Sequence, residues 1–281
     1  MRARIWGCRG SLASPGAETA RYGGNTSCVE VRAADGTLVV LDAGTGIRAL
    51  GAALAAERPK TVHLLLTHLH LDHVEGLGFF TPRFDPESTV HVWGPRPPEG
   101  TLRDWIAGYL SPPLFPVPFA QCSGNLVFHE IEAGTLDLGS LHVTTERVTH
   151  PGATLAYRLE ENGHSFAFVP DHEPALTEGL HGGRLDAIPG SAIARSADVL
   201  FHDAQYTAEE YATRVGWGHS SLPDFAAFIR LAEPSRVVMF HHDPTHTDDE
   251  LESMLAEAAT LLDGSGPRVE LAFEGMEIAL D

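Results

Sequence analysis

Cysteine, lysine and long apolar runs are all scarce in this chain. Its 281 residues carry three cysteines (Cys8, Cys28 and Cys122), odd in number and widely spaced. That pattern excludes a disulfide framework and a thiolate zinc cluster, and a reducing cytoplasm is the expected compartment. Lys60 is the lone lysine, and the net charge is −19. Such a balance argues against a broad nucleic-acid surface or an anionic membrane surface, while leaving room for a small basic site. No N-terminal stretch joins basic residues to an apolar run and a small-residue cleavage site. Nothing approaches the roughly 18 consecutive apolar residues of a membrane span, so no membrane partner is expected.

Histidine, by contrast, is plentiful, with 16 in the chain. Three of them sit in Thr67-His68-Leu69-His70-Leu71-Asp72-His73, which follows the apolar strand Thr61-Val62-His63-Leu64-Leu65-Leu66 and leads into a helix expected to begin near Asp72. Imidazole and carboxylate ligands suit zinc, iron or manganese. In an extended stretch His68 and His70 project to one side, because side chains alternate with period two. Together they can grip one ion, and Asp72 and His73, past the bend, are placed for a second.

Along the rest of the chain, ligand-type residues recur at strand ends. The opening reads as strand, Gly-rich loop, strand, with clustered glycines that allow close backbone approach but match neither P-loop nor Rossmann spacing. Strand 37–41 ends in Asp42-Ala43-Gly44, where Asp42 reads as a turn former. A helix with Ile47, Leu50, Gly51 and Leu54 on one face follows. The stretch 79–120 is rich in proline and aromatics, consistent with a substrate cover, a subunit contact or a packed connection. Further strands at 126–131 and 141–146 lead to His150-Pro151-Gly152. A hairpin, 154–159 and 164–169, turns at Asn162-Gly163 and ends in Pro170-Asp171. The strand through Phe201-His202-Asp203 precedes Gly218-His219-Ser220-Ser221, with Ser221 opening a helix. Strand 236–240 delivers His241-His242. A last helix has Thr247 as N-cap, Glu250 at N3, and Gly264 beyond its end.

The order of these motifs resembles that of the metallo-β-lactamase superfamily, and the resemblance spans the chain. It implies an α/β architecture: an αββα sandwich of two mixed β-sheets flanked by helices. Because both halves supply ligands, residues 1–281 are read as a single hydrolase domain. Carried over, Asp42 supports the metal loop instead of only forming a turn, and site 1 is His68, His70 and His150. Site 2 is Asp72, His73 and His241, with Asp171 bridging two divalent ions, zinc first and manganese or iron next. Gly218-His219-Ser220-Ser221 and Phe201-His202-Asp203-Ala204 are similar to motifs of tRNase Z-like enzymes. These motifs cast His219 as general acid and Asp203, standing where those enzymes have Glu, as its partner. Asp72 joins these two in the catalytic set.

Two ions facing two carboxylates leave a local charge of about +2, which attracts a small anionic substrate. No basic tRNA-holding insertion is present. The function implied is hydrolysis of a small, cyclic-nucleotide-like phosphodiester by a metal-bridging hydroxide, with Arg9, Arg21 and His242 as phosphate contacts. A homodimer is common in the family. The alternative is a lactone or thioester hydrolase. Further readings are an RNA-processing nuclease, a mononuclear iron oxygenase and a non-catalytic nucleotide sensor.

Overall fold

Strands β1 (Arg2–Gly7), β2 (Cys28–Arg32), β3 (Leu38–Leu41), β4 (Thr61–Leu65), β5 (Thr89–Pro95) and β6 (Leu126–Ile131) build most of a first sheet. A second sheet takes β7 (Gly134–Leu138), β8 (Leu141–Arg147), β9 (Leu155–Glu161), β10 (His164–Val169), β11 (Val199–Asp203), β12 (Arg236–Phe240) and β13 (Arg268–Leu271). The last strand, β14 (Glu277–Ala279), returns to the edge of the first sheet beside β1. This computed structural model describes residues 1–121, 125–263 and 266–280. Cys122 and Gly264 therefore lie outside the described residues.

Among the described residues the two seven-stranded sheets follow one plan. The first runs β14-β1-β2-β3-β4-β5-β6 and the second, starting from its β7 edge, β7-β8-β9-β10-β11-β12-β13. In each, the first four strands are antiparallel and the last four parallel. The sheets pack face to face through Ile5, Val31 and Leu41 on one side and Tyr157, Phe168, Phe201 and Phe240 on the other. Helix Ile47–Leu54 covers the outer face of the first sheet. Helices Leu222–Ala232 and Asp248–Leu261 cover the second. The result is the αββα sandwich of mixed sheets that the motif order implies.

Local signals explain the helix positions. Ser221 accepts the Asp224 N–H, and Thr247 with Glu250 forms a reciprocal capping box, satisfying donors that a helix start leaves orphaned. Leu222, Phe225, Phe228 and Ile229 are then buried, each worth about 1.5–3 kcal/mol relative to exposure. The hairpin turns at Asn162 and Gly163, both with positive φ, as a two-residue turn requires.

Two expectations are corrected. The helix expected from Asp72 is instead a pair of short 3-10 turns, Leu71–His73 and Glu75–Phe79. Two glycines within five residues, Gly76 and Gly78, weaken an α-helix there. The proline-rich stretch 79–120 is also more regular than its composition suggests. It contains β5 and the helix Leu102–Tyr109, whose capping box is Thr101 with Asp104.

Candidate metal centre and its proton relay

The loops after β4, β8, β10, β11 and β12 converge at one rim of the sandwich. His68 Nε2 lies 2.9 Å from His70 Nδ1, and His150 Nε2 lies 3.1 Å from the same atom. Asp171 Oδ2 faces this group at 3.8 Å from His68 and 3.6 Å from His150. Its other oxygen, Oδ1, faces a second group, 3.3 Å from His73 Nε2 and 3.4 Å from His241 Nε2. Asp72 Oδ2 completes that group at 3.2 Å from each of these two nitrogens. One carboxylate thus lies between two clusters of ligand-type side chains.

Three of the imidazoles are aimed by outer partners. His73 Nδ1 contacts Asp42 at 2.7 Å, His241 Nδ1 contacts Gln205 Oε1 at 2.8 Å, and His150 Nδ1 contacts the Gly218 carbonyl at 2.8 Å. Asp42 also accepts from the Thr67 amide and hydroxyl, so it supports the metal loop as well as ending β3. Such partners fix the tautomer and direct the remaining nitrogen inward. The backbone is shaped for the same end. Asp42 and His241 both have φ near +60°, an uncommon region for non-glycine residues. A Cβ on Gly10 would lie 2.2 Å from His241 Nδ1. The glycine-rich opening loop can therefore press against the site, and the Ser11 amide donates to Asp72 Oδ2 at 2.7 Å.

The residues present fit divalent ions. Asp171 Oδ1 is buried without a hydrogen-bond partner, and an orphaned buried carboxylate oxygen calls for a cation. With Nδ1 of His73 and His241 both turned outward, their Nε2 atoms face each other at 3.3 Å, and only a positive charge between them relieves two opposed lone pairs. Burial lowers the basicity of His73, but Asp171, Asp72 and Asp42 raise it well above the ordinary value. Burial drives His68 well below its ordinary pKa and His150 to about 4, leaving both neutral and able to ligate.

His219 stands against this centre, its ring 4.9 Å from that of His241 and 5.1 Å from that of His150. Its Nδ1 is 2.7 Å from Asp203 Oδ2, so the shorter Asp side chain reaches its partner. Asp203 is anchored by the amides of His172, Gln205 and Ser220. Burial pulls the His219 pKa down, but Asp203 outweighs it and lifts the value to about 9.

The three expected phosphate contacts lie elsewhere. Arg9 is fully buried and donates to the carbonyls of Gly23, Asp243 and His246. Arg21 is at the surface, paired with Asp249 and Glu252. His242 is buried with Nε2 2.9 Å from the Ala272 carbonyl, and burial pushes its pKa down to about 3. Arginine at a loop crossing is drawn to unpaired carbonyls as readily as to phosphate.

Two contributors escaped the sequence reading. Gln205 orients His241, and buried Glu173 accepts the amides of Gly216 and Gly218 and the Tyr211 hydroxyl. Glu173 thereby shapes the loop that presents His219. Their only signal was proximity, two residues beyond Asp203 and Asp171 respectively.

Residues 37–242 match the beta-lactamase superfamily domain. The chain belongs to the metallo-β-lactamase superfamily. Within the superfamily, Ribonuclease BN of Cronobacter sakazakii is 26% identical over 86% of this chain and 90% of its own length. The metallo-beta-lactamase fold protein YhfI of Bacillus subtilis superposes with a TM-score of 0.70 at 17% identity, covering 99% of both chains. A diphosphatase of the PhnP family gives 0.69 at 15% identity, covering 100% of this chain and 98% of its own. The chain is a hydrolase of the metallo-β-lactamase fold.

Proposed function

We propose that the chain is a dinuclear-metal phosphodiesterase acting on a small phosphodiester such as a cyclic nucleotide. The observation that carries this reading is the His219–Asp203 pair set against two complete ligand clusters that share Asp171. Bound there, two divalent ions would supply Lewis-acid activation of the phosphoryl group and of water. His68, His70 and His150 would hold one, and Asp72, His73 and His241 the other. Zinc is the first choice, with manganese or iron also compatible with these donors.

The chain's own contribution to turnover is protonic and positional. With Nδ1 committed to Asp203, His219 carries its transferable proton on Nε2. The elevated pKa keeps that proton in place at neutral pH. An alkoxide is a poor leaving group, so a placed acid is worth about 10²–10⁴-fold in rate. Lactone or thioester cleavage needs such an acid less. Cytoplasmic operation suits the two buried free thiols, Cys8 and Cys28.

The test is release of nitrophenol from bis(p-nitrophenyl) phosphate by zinc- or manganese-loaded protein, beside an Asp72→Ala control. Metal-dependent turnover that disappears in the control is expected. No turnover with two metals bound would sink the reading and favour the lactone or thioester alternative.

A further inference from the structure

Beside the metal centre lies a cavity of about 660 Å³. Leu69 and Leu71, the residues on either side of His70, form one wall. Trp105, Ile106 and Tyr109 of the helix Leu102–Tyr109 form another, with Leu114 at the mouth. A smaller cavity of about 220 Å³, lined by His68 and His70, shares Leu69 and Trp105 as walls. The large cavity therefore lies next to the one at the ligand cluster, with these two side chains between them.

We infer that this cavity receives an uncharged, apolar arm of the phosphodiester, on a part of the substrate other than the ester bond that breaks. The inference rests on the phosphodiesterase reading for the word phosphodiester, and on the cavity alone for the word apolar. Two observations select that occupant. First, the aromatic walls have no donor to spare: Trp105 Nε1 donates to the Glu99 carbonyl and the Tyr109 hydroxyl to the Glu75 carbonyl, both at 2.7 Å. Hydrogen bonding in the cavity is thus left to the Glu99 and Asp104 carboxylates, and most of the remaining wall is apolar. A flat or branched apolar group loses nothing and gains ring contact.

Second, the charge is of one sign. Glu99 and Asp104 are the charged side chains of the lining, and none of the described lining residues is cationic. A second phosphate or carboxylate on the arm would meet carboxylates alone. The substrate class is accordingly a monoanionic diester with one apolar arm, not a polyphosphate or an oligonucleotide. The free protein leaves Leu71, Trp105 and Leu114 more than half exposed (63, 55 and 72%). Large apolar side chains gathered around a concave site mark a place for a ligand.

The experiment compares methyl p-nitrophenyl phosphate with phenyl p-nitrophenyl phosphate, which share a leaving group and differ in the arm. In the metal-loaded protein kcat/KM is expected to be about tenfold or more higher for the phenyl arm, the order expected for burying one ring face. Trp105→Ala should bring the phenyl-to-methyl ratio close to one; its exposure makes misfolding an inadequate explanation. Equal rates for the two arms in the unaltered protein, or a ratio that survives Trp105→Ala, would overturn the assignment. Calorimetric binding of phenylphosphonate and methylphosphonate to the same metal-loaded protein separates the two inferences. Tighter phenyl binding without turnover supports the cavity assignment while sinking the phosphodiesterase reading. Equal binding overturns the cavity assignment whatever the turnover.

Discussion

His219 and the seven ligand-type side chains differ in what they do with a nitrogen or oxygen. The ligands turn it into a shared cluster, whereas His219 keeps one nitrogen on Asp203 and is held by the loop that Glu173 shapes. Replacing His219 by Ala should slow turnover by about 10²–10⁴-fold with metal content unchanged by elemental analysis. Loss of an ion in that variant would make His219 a ligand instead of an acid. At this scale the gathering of these side chains was legible, because H-x-H-x-D-H and the strand-end residues His150, Asp171 and His241 each carry their chemistry in their identity. Arg9, Arg21 and His242 were not legible as to place. A guanidinium or imidazole goes where carbonyls and carboxylates lack partners, and Gly23, Asp243, Ala272 and Glu252 are brought near only by the fold.

Among the elements, β4, β5 and β6 present an uncommon stack on the face away from the outer helices. His63 lies 5.2 Å from His91, His91 5.2 Å from His129, and Trp93 3.9 Å from His129, ring centre to ring centre. Burial, with His91 and His129 adding to it, lowers the His63 pKa to about 4, against about 6.5 in an unfolded chain. Between these values the unfolded chain binds more protons than the folded one. Stability is therefore complete above about pH 6.5 and is lost as pH falls towards 4. Thermal midpoints at pH 7 and pH 5 should differ less in His63→Gln than in the unaltered protein; an identical difference would remove His63 from the account. The buried strands β4, β11 and β12 and the capped helices were readable from apolar runs and capping residues. Strand β5 was hidden, because its alternation of Val90 and Val92 with His91 and Trp93 runs directly into the prolines from Pro95 onward.

Taken whole, the molecule repeats one strand plan in its two sheets, and Asp42 and Asp171 stand at equivalent ends, after β3 and β10. No repeat of sequence announces this, since each half needs only the same pattern of buried positions. The acidic surface should also decide what approaches. At about 0.15 M salt a tRNA precursor is expected to show no complex in a gel-shift assay, since binding a duplex polyanion depends on released counterions; a micromolar complex would contradict it. The sharing of ligands between sheets has a mechanical side. His68, His70, Asp72 and His73 hang from the first sheet, while His150, Asp171 and His241 hang from the second. A pair of bound ions would rivet the two layers together at one rim, in a chain whose described cysteines form no covalent link. At a thousand times the dissociation constant, one such ion adds about 4 kcal/mol to the folded state. The supply of metal would then govern how long the molecule survives as well as how fast it works.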